Sequence, residues 1–81
     1  MNEKIGEVTH YFTDLSVGII KLEDELRVGD KIRIKGATTD FEQEIKSMEI
    51  DREEVEEAGP GESVGMKVKN RVREGDEVYK V

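Results

Sequence analysis

The sequence contains no cysteine, one histidine and one proline among its 81 residues. The absence of cysteine excludes disulfides, thiolate zinc sites and thiol nucleophiles. The one histidine is His10, and no serine of the chain lies in a nucleophile motif that could pair with it. Hydrolytic catalysis is therefore not indicated. Aromatic residues make up only 5% of the chain, and no apolar run approaches the roughly 18 residues that span a bilayer. We therefore expect no catalytic residue, no metal or other cofactor, and no membrane partner.

What the sequence has in abundance is charge. Charged residues are 41% of the chain, and 20 acids against 13 bases give a net charge of −7. This balance opposes indiscriminate binding to nucleic acid, and we expect no DNA partner. A phosphate-binding Gly-x-x-x-x-Gly-Lys-Ser/Thr loop is absent, so no nucleotide cofactor is expected. Abundant Glu and Lys with a single Gln resemble a thermophile composition, and the lack of a secretory signal predicts a cytoplasmic protein.

The apolar residues favour strands over helices. Nine Val and seven Ile stand against three Leu and two Ala, and Cβ branching suits a pleated sheet. Ile32 and Ile34 alternate with charged residues, which is the pattern of a half-buried strand. Glycine-containing turns separate the apolar runs. The predicted strands are Ile5–Phe12, Val17–Leu22, Lys31–Lys35, Phe41–Ile50, Ser63–Lys69 and Glu77–Val81.

Two segments need separate comment. Within Phe41–Ile50 the apolar phase changes, which predicts a bulge or sharp twist near Lys46-Ser47. Asp51–Ala58 is rich in Glu, lacks the spacing of a calcium loop, and is predicted to be a loop with at most one helical turn. No internal repeat is evident. We predict one all-β domain over residues 1–81, a closed or nearly closed antiparallel barrel of about six strands.

Basic residues spaced by two form two rows, which are candidates for contact with RNA phosphates. The first row lies on one predicted strand, and the second follows Ser63 in a stretch without acids. The rows are Lys31, Arg33 and Lys35, and Lys67, Lys69, Arg71 and Arg73. If the strands are neighbours, the rows make one basic patch. The alternative is an ordinary solvated face in which these bases pair across strands with Glu42, Glu44 or Glu77.

A second candidate surface, for a protein partner, combines aromatic residues with a polar loop. Tyr11 belongs to the first predicted strand, and Phe41 follows the loop Gly36–Asp40. Thr38 and Thr39 complete the set. Aromatic residues on a small barrel can stack on bases or contact a partner, although core filling explains at least some of them.

The order of short motifs resembles the second domain of translation elongation and initiation factors. These motifs are Gly6-x-Val8, Val17-Gly18-Ile19-Ile20, Leu26-x-Val28-Gly29-Asp30, Ile45-x-Ser47-Met48 and Arg73-x-Gly75-Asp76-x-Val78. A closer resemblance is to the C-terminal barrel of collagenase-like peptidases, some of which are implicated in RNA hydroxylation. It is carried by Gly6-Glu7-Val8-Thr9-His10-Tyr11-Phe12 and Gly36-Ala37-Thr38-Thr39-Asp40-Phe41. The resemblance implies a six-stranded barrel that supports contacts to RNA or to a catalytic domain.

Two functional hypotheses follow. The first is a non-catalytic binding module of translation or RNA modification that docks on tRNA, rRNA or an RNA-bound protein, and it depends on the resemblance and the two basic rows. The second is a protein-interaction module that acts in trans with a peptidase-like catalytic partner.

Overall fold

The computed structural model describes residues 3–81 and is built from strands alone. Within that range no helix occurs, so these residues contain no helix that could cross a membrane. The ten strands are β1 (Glu3–Phe12), β2 (Val17–Leu22), β3 (Leu26–Arg27), β4 (Lys31–Lys35), β5 (Asp40–Glu44), β6 (Met48–Ile50), β7 (Glu53–Val55), β8 (Glu57–Ala58), β9 (Ser63–Lys67) and β10 (Glu77–Lys80). The all-β prediction is confirmed.

Eight strands form one antiparallel sheet in the order β5-β4-β10-β1-β2-β9-β6-β7, and β3 pairs with β8 in a separate ribbon. The sheet curls into a half-barrel. The prediction of a closed or nearly closed barrel of about six strands is corrected in two respects: the sheet has eight strands, and it is not a closed six-stranded barrel. The reason lies in the segment predicted as one strand, Phe41–Ile50, which is divided between β5 and β6 at opposite ends of the sheet.

The break between β5 and β6 lies where the apolar phase changes. Ile45 is fully buried, and its backbone leaves the sheet to bond with the turn before β4. Its N–H donates to the Asp30 carbonyl, and its own carbonyl accepts the Gly29 N–H, both at 2.8 Å. The predicted irregularity near Lys46-Ser47 is thus a complete interruption of the strand.

The Glu-rich segment is the second correction. Residues predicted as a loop with at most one helical turn form β7 and β8. Asp51 and Arg52 have φ of 51° and 67°, and these left-handed values make the two-residue turn between β6 and β7. The glutamates lie on an exposed face, so burial imposes no penalty on a charged strand.

The core lies inside the curl and follows the period-two pattern. Its fully buried members include Ile32, Ile34, Val64 and Val78. These side chains come from alternate positions on β4, β9 and β10, as strand geometry requires. The alternation that predicted β4 and β9 therefore also predicted which face is buried.

A repeated turn was not anticipated. Residues 27–30 and 73–76 both read Arg-x-Gly-Asp, with the glycine at φ 99° and 92°. In each turn the aspartate Oδ2 accepts the backbone N–H of the arginine, at 3.0 Å and 2.9 Å. Val8 bonds to the second turn as Ile45 bonds to the first. The same four-residue turn therefore occurs twice, and each copy bonds to the backbone of one buried apolar residue.

Candidate binding surfaces

The first basic row lies on the outer face of β4 and is largely neutralised by β5. Arg33 donates from Nε to Asp40 Oδ1 and from Nη2 to Asp40 Oδ2, both at 2.8 Å. Lys31 Nζ lies 3.6 Å from Glu42 Oε1. The hydrogen bonds from Arg33, helped by the charges of Arg33 and Lys35, hold the pKa of Asp40 below its usual value. This row corresponds to the solvated alternative, because acids of the neighbouring strand oppose its charges.

The second basic row behaves differently. Only Lys67 belongs to β9, and the other three bases, Lys69, Arg71 and Arg73, lie beyond the end of that strand. All four are exposed, and within residues 3–81 no acidic side chain comes within 4.0 Å of their charged groups. Strands β10, β1 and β2 separate β4 from β9 in the sheet. In residues 3–81 no strand pairing therefore joins the two rows, although the curl of the sheet brings β5, the neighbour of β4, to the end of β9.

A cleft opens where β6 and β9 diverge. The register pairs Glu49 with Gly65, so a longer ladder would place Ser47 opposite Lys67. The Gln43 side chain instead reaches from β5 to the end of β9: Nε2 donates to the Lys67 carbonyl and Oε1 accepts the Lys69 N–H, both at 2.9 Å. The cleft measures about 500 Å³ and is lined by Gln43, Glu44, Lys46, Ser47, Lys67, Val68 and Lys69.

An apolar surface lies on the outside of the sheet near the turn between β1 and β2. Phe12 is 43% exposed and Leu15 is 61% exposed. Val17 and Ile19 are half-buried on the outer face, and their side chains lie over Gly65 of β9. We call these four residues, Phe12, Leu15, Val17 and Ile19, the apolar outer patch. Lys67 pairs with Val17 across the strands, so the patch borders the second basic row.

The residues predicted to meet a protein partner do not form one exposed surface. Tyr11 and Phe41 are partly buried and pack against the core. Thr39 is only 5% exposed, and its carbonyl accepts the Gly36 N–H at 2.7 Å. Thr38 is exposed at the turn between β4 and β5. The exposed aromatic of this region is Phe12, next in sequence to Tyr11.

His10 lies on the surface near the apolar outer patch. Its Nδ1 is 3.7 Å from Glu74 Oε2, and its ring packs edge-on against Phe12 with centroids 4.4 Å apart. No serine hydroxyl is bonded to it in the part of the chain that the structure describes. Residues 3–81 also contain no group of three or more His, Cys, Asp or Glu side chains that could hold a metal.

A charged cluster joins the start of β1 to β10. Lys4 Nζ lies 3.4 Å from Glu77, 3.6 Å from Glu23 and 3.9 Å from Glu7. The Tyr79 hydroxyl donates to Glu77 Oε1 at 2.7 Å. This hydrogen bond and the contact with Lys4 lower the pKa of Glu77, and the same contact raises the pKa of Lys4. The cluster therefore connects β1, through Lys4, to β10, through Glu77.

Sequence reasoning identified Lys67 and Lys69 but did not identify Gln43, Lys46 and Ser47 as residues of the cleft. Gln43 had a detectable signal, since it is the one glutamine and shares the inward phase of Phe41 and Ile45. Its bonding partners lie 24 and 26 residues away, and only the curl of the sheet brings them together. Lys46 and Ser47 had no signal beyond the phase change.

Comparison with known proteins gives relatives that are much longer than this chain. An uncharacterized protease of Methanocaldococcus jannaschii is 46% identical over 77 residues, which are 94% of this chain and 19% of the protease. A collagenase of Porphyromonas gingivalis is 33% identical over 78 residues, which are 94% of this chain and 22% of the collagenase. The chain thus spans about a fifth of the length of these relatives. No protein-family model matches it.

Solved structures with the same fold include two of one protein. Two crystal structures of the C-terminal domain of a U32 peptidase of Geobacillus thermoleovorans superpose with a TM-score of 0.92. Sequence identity is 23% in both, and the selenomethionine form covers 96% of this chain and 99% of that domain. These relatives fit the resemblance to the C-terminal barrel of collagenase-like peptidases.

Proposed function

We propose that this chain is a non-catalytic module that associates with a peptidase-like catalytic partner. The observation that carries the proposal is the share of each relative that the chain matches. In the M. jannaschii protease and the P. gingivalis collagenase, about four-fifths of the protein lies outside the matched part. The matching domain of the G. thermoleovorans peptidase is its C-terminal domain. A module of this kind needs a surface that contacts the catalytic part.

The apolar outer patch is the surface we assign to that contact. Phe12 and Leu15 project apolar area into water next to Val17 and Ile19, where β1 ends and β2 begins. Contiguous exposed apolar surface on a small soluble domain is typical of a protein contact. Lys67 at its border favours a partner surface that combines apolar and acidic groups.

Binding to the unmatched part of the M. jannaschii relative tests this proposal. That part is produced without its matched segment, and its affinity for this chain is measured by calorimetry. We expect the double substitution Phe12→Ser and Leu15→Ser to weaken binding at least tenfold, since a few buried apolar anchors dominate most interfaces. Val28, which is 38% exposed and lies outside the patch, supplies the control Val28→Ser. Equal affinity of the double variant and the wild type would remove the patch from the proposal.

A second candidate function, docking on RNA, is supported by the second basic row. Four exposed cations without acidic partners are what a phosphate backbone requires, whereas the first row is opposed by Asp40 and Glu42. Reversing the charge at Lys67 and Lys69 should then weaken tRNA binding and reduce its dependence on salt. Each phosphate contact that is lost lowers the number of counterions that the RNA releases on binding. Unchanged binding to tRNA, measured at low and moderate salt, would exclude this row.

A further inference from the structure

We infer that the cleft between β5, β6 and β9 is a binding site for a phosphate group. This inference goes beyond the association with a peptidase-like partner, and it deepens the RNA candidate by naming where a phosphate is held. It depends on the interruption of the β6–β9 ladder and on the Gln43 side chain, which joins β5 to the backbone at the end of β9. Neither feature belongs to the apolar outer patch.

The walls of the cleft are held in place by hydrogen bonds. Gln43 bonds the backbone on both sides of Val68, which is itself only 6% exposed. The Val68 N–H donates to the Ser16 carbonyl at 2.9 Å. These bonds fix the backbone at Lys67, Val68 and Lys69. The Cα positions from which the exposed side chains of Lys67 and Lys69 project are therefore defined. A site whose groups are positioned before binding loses less entropy when the ligand arrives.

The charge of the cleft matches a phosphate. Three lysines (Lys46, Lys67 and Lys69) and one glutamate (Glu44) line it, so three positive charges and one negative charge leave a net +2. None of the three ammonium groups has an acidic side chain within 4.0 Å in residues 3–81. A phosphate monoester such as AMP carries about −1.5 to −2, and each phosphodiester of an RNA strand carries one negative charge; both offer acceptor oxygens. Lysine is a frequent point-charge ligand of phosphate, and the Ser47 hydroxyl adds a neutral donor.

The dimensions of the cleft favour a phosphate with an organic group attached. About 500 Å³ is far more than a bare phosphate fills, and it lies within the range of small-molecule sites. The phosphate can belong to a free nucleotide or to an RNA strand. Arg71 and Arg73, which continue the second basic row past the cleft, would contact further phosphates only of a strand.

Amide chemical shifts of the ¹⁵N-labelled chain distinguish the two sources. The probes are adenosine, AMP and an eight-nucleotide oligoadenylate. We expect AMP, but not adenosine, to shift the amides of Lys46, Ser47, Lys67 and Lys69. An oligoadenylate that binds at least tenfold tighter than AMP identifies a strand, whereas equal affinities identify a free nucleotide. The inference is overturned if neither AMP nor the oligonucleotide shifts these amides.

Substitutions at the cleft complete the test. Lys67→Gln with Lys69→Gln should weaken AMP binding at least tenfold, while the same charge change at Lys21 and Lys80, neither of which lines the cleft, should leave it unchanged. Equal losses in both double variants would indicate general charge attraction and overturn the site. The RNA candidate can fail separately, since AMP binding without tighter oligonucleotide binding supports the cleft alone. Oligonucleotide shifts confined to other residues would retain RNA docking and overturn the cleft.

Discussion

Replacing Gly36 with alanine should lower the free energy of unfolding by about 2–4 kcal/mol, although Gly36 is only half-buried. A Cβ at Gly36 would fall on the carboxylate of Asp76. That carboxylate is 5% exposed, and its Oδ2 accepts the Arg73 N–H at 2.9 Å in the second Arg-x-Gly-Asp turn. The added methyl group therefore displaces the side chain that holds this turn together.

The magnitude follows from three contributions. Losing a hydrogen bond to a charged group costs about 1.5–3 kcal/mol. Overpacking by the added methyl group costs about 1–3 kcal/mol, and local relaxation of the backbone lowers this cost. The smaller entropy of the unfolded alanine chain offsets about 0.4–1 kcal/mol. A net loss of 2 kcal/mol lowers Tm by roughly 8–16 °C in a domain of this size.

A double-mutant cycle measured by urea unfolding isolates the contact. Asp76→Ala alone should cost about 1.5–3 kcal/mol, and Gly36→Ala in that background should cost less than about 1 kcal/mol, because the carboxylate is gone. Gly59→Ala is the control, since its Cβ would meet nothing nearer than Glu62 Oε1 at 3.7 Å. Additivity of the two substitutions within about 0.5 kcal/mol would refute the proposed clash.

Two further predictions concern stability. Gln43→Ala removes two hydrogen bonds of about 0.5–1.5 kcal/mol each, so urea unfolding should show a loss of about 1–3 kcal/mol; an unchanged midpoint would mean that water replaces the bonds at no cost. The lowered pKa of Glu77 contributes stability above the pKa of an unfolded glutamate, about 4.3, and this contribution is lost as the pH falls through the folded value. Glu77→Gln should therefore flatten the acid side of the stability profile, and an identical profile would contradict the assigned cause.

Local patterns predicted the strands with clear alternation and the side of each that is buried. Ile32 and Ile34 are both fully buried, and Arg33 between them is not. This succeeded because strand geometry places alternate side chains on opposite faces whatever the rest of the fold does. The resemblance to the C-terminal barrel of collagenase-like peptidases also fits the relatives, while the likeness to translation factors remains a sequence prediction.

The failures share one physical cause, which is dependence on distant residues. The break at Ile45 depends on bonds to the Gly29-Asp30 turn, and those bonds send β5 and β6 to opposite ends of the sheet. No local pattern reports such a bond. The row Lys31, Arg33 and Lys35 stays a prediction, but only the structure shows that Asp40 and Glu42 oppose two of its three charges. Spacing alone fixes which residues share a face, but not which charges oppose them.

The exposure of Phe12 is a second feature that local sequence patterns do not predict. Tyr11 and Phe12 are adjacent aromatics, and the sequence does not say which of them faces the core. The irregularity between Val8 and His10 in the β1–β2 register sets the phase at the end of β1. Phe12 is consequently exposed and Tyr11 packs inward. The exposed aromatic residue at the end of β1 is therefore Phe12, whereas the sequence analysis named Tyr11.

The most direct test of the proposed association maps the contact itself. The ¹⁵N-labelled chain is titrated with the unlabelled part of the M. jannaschii relative that lies outside the matched segment. The account predicts that amide signals of Phe12, Leu15, Val17 and Ile19 broaden or shift first, and that signals of the Glu53–Val55 strand stay in place. A spectrum that does not change, or that changes only away from the apolar outer patch, would contradict the claim that this surface receives a peptidase-like partner.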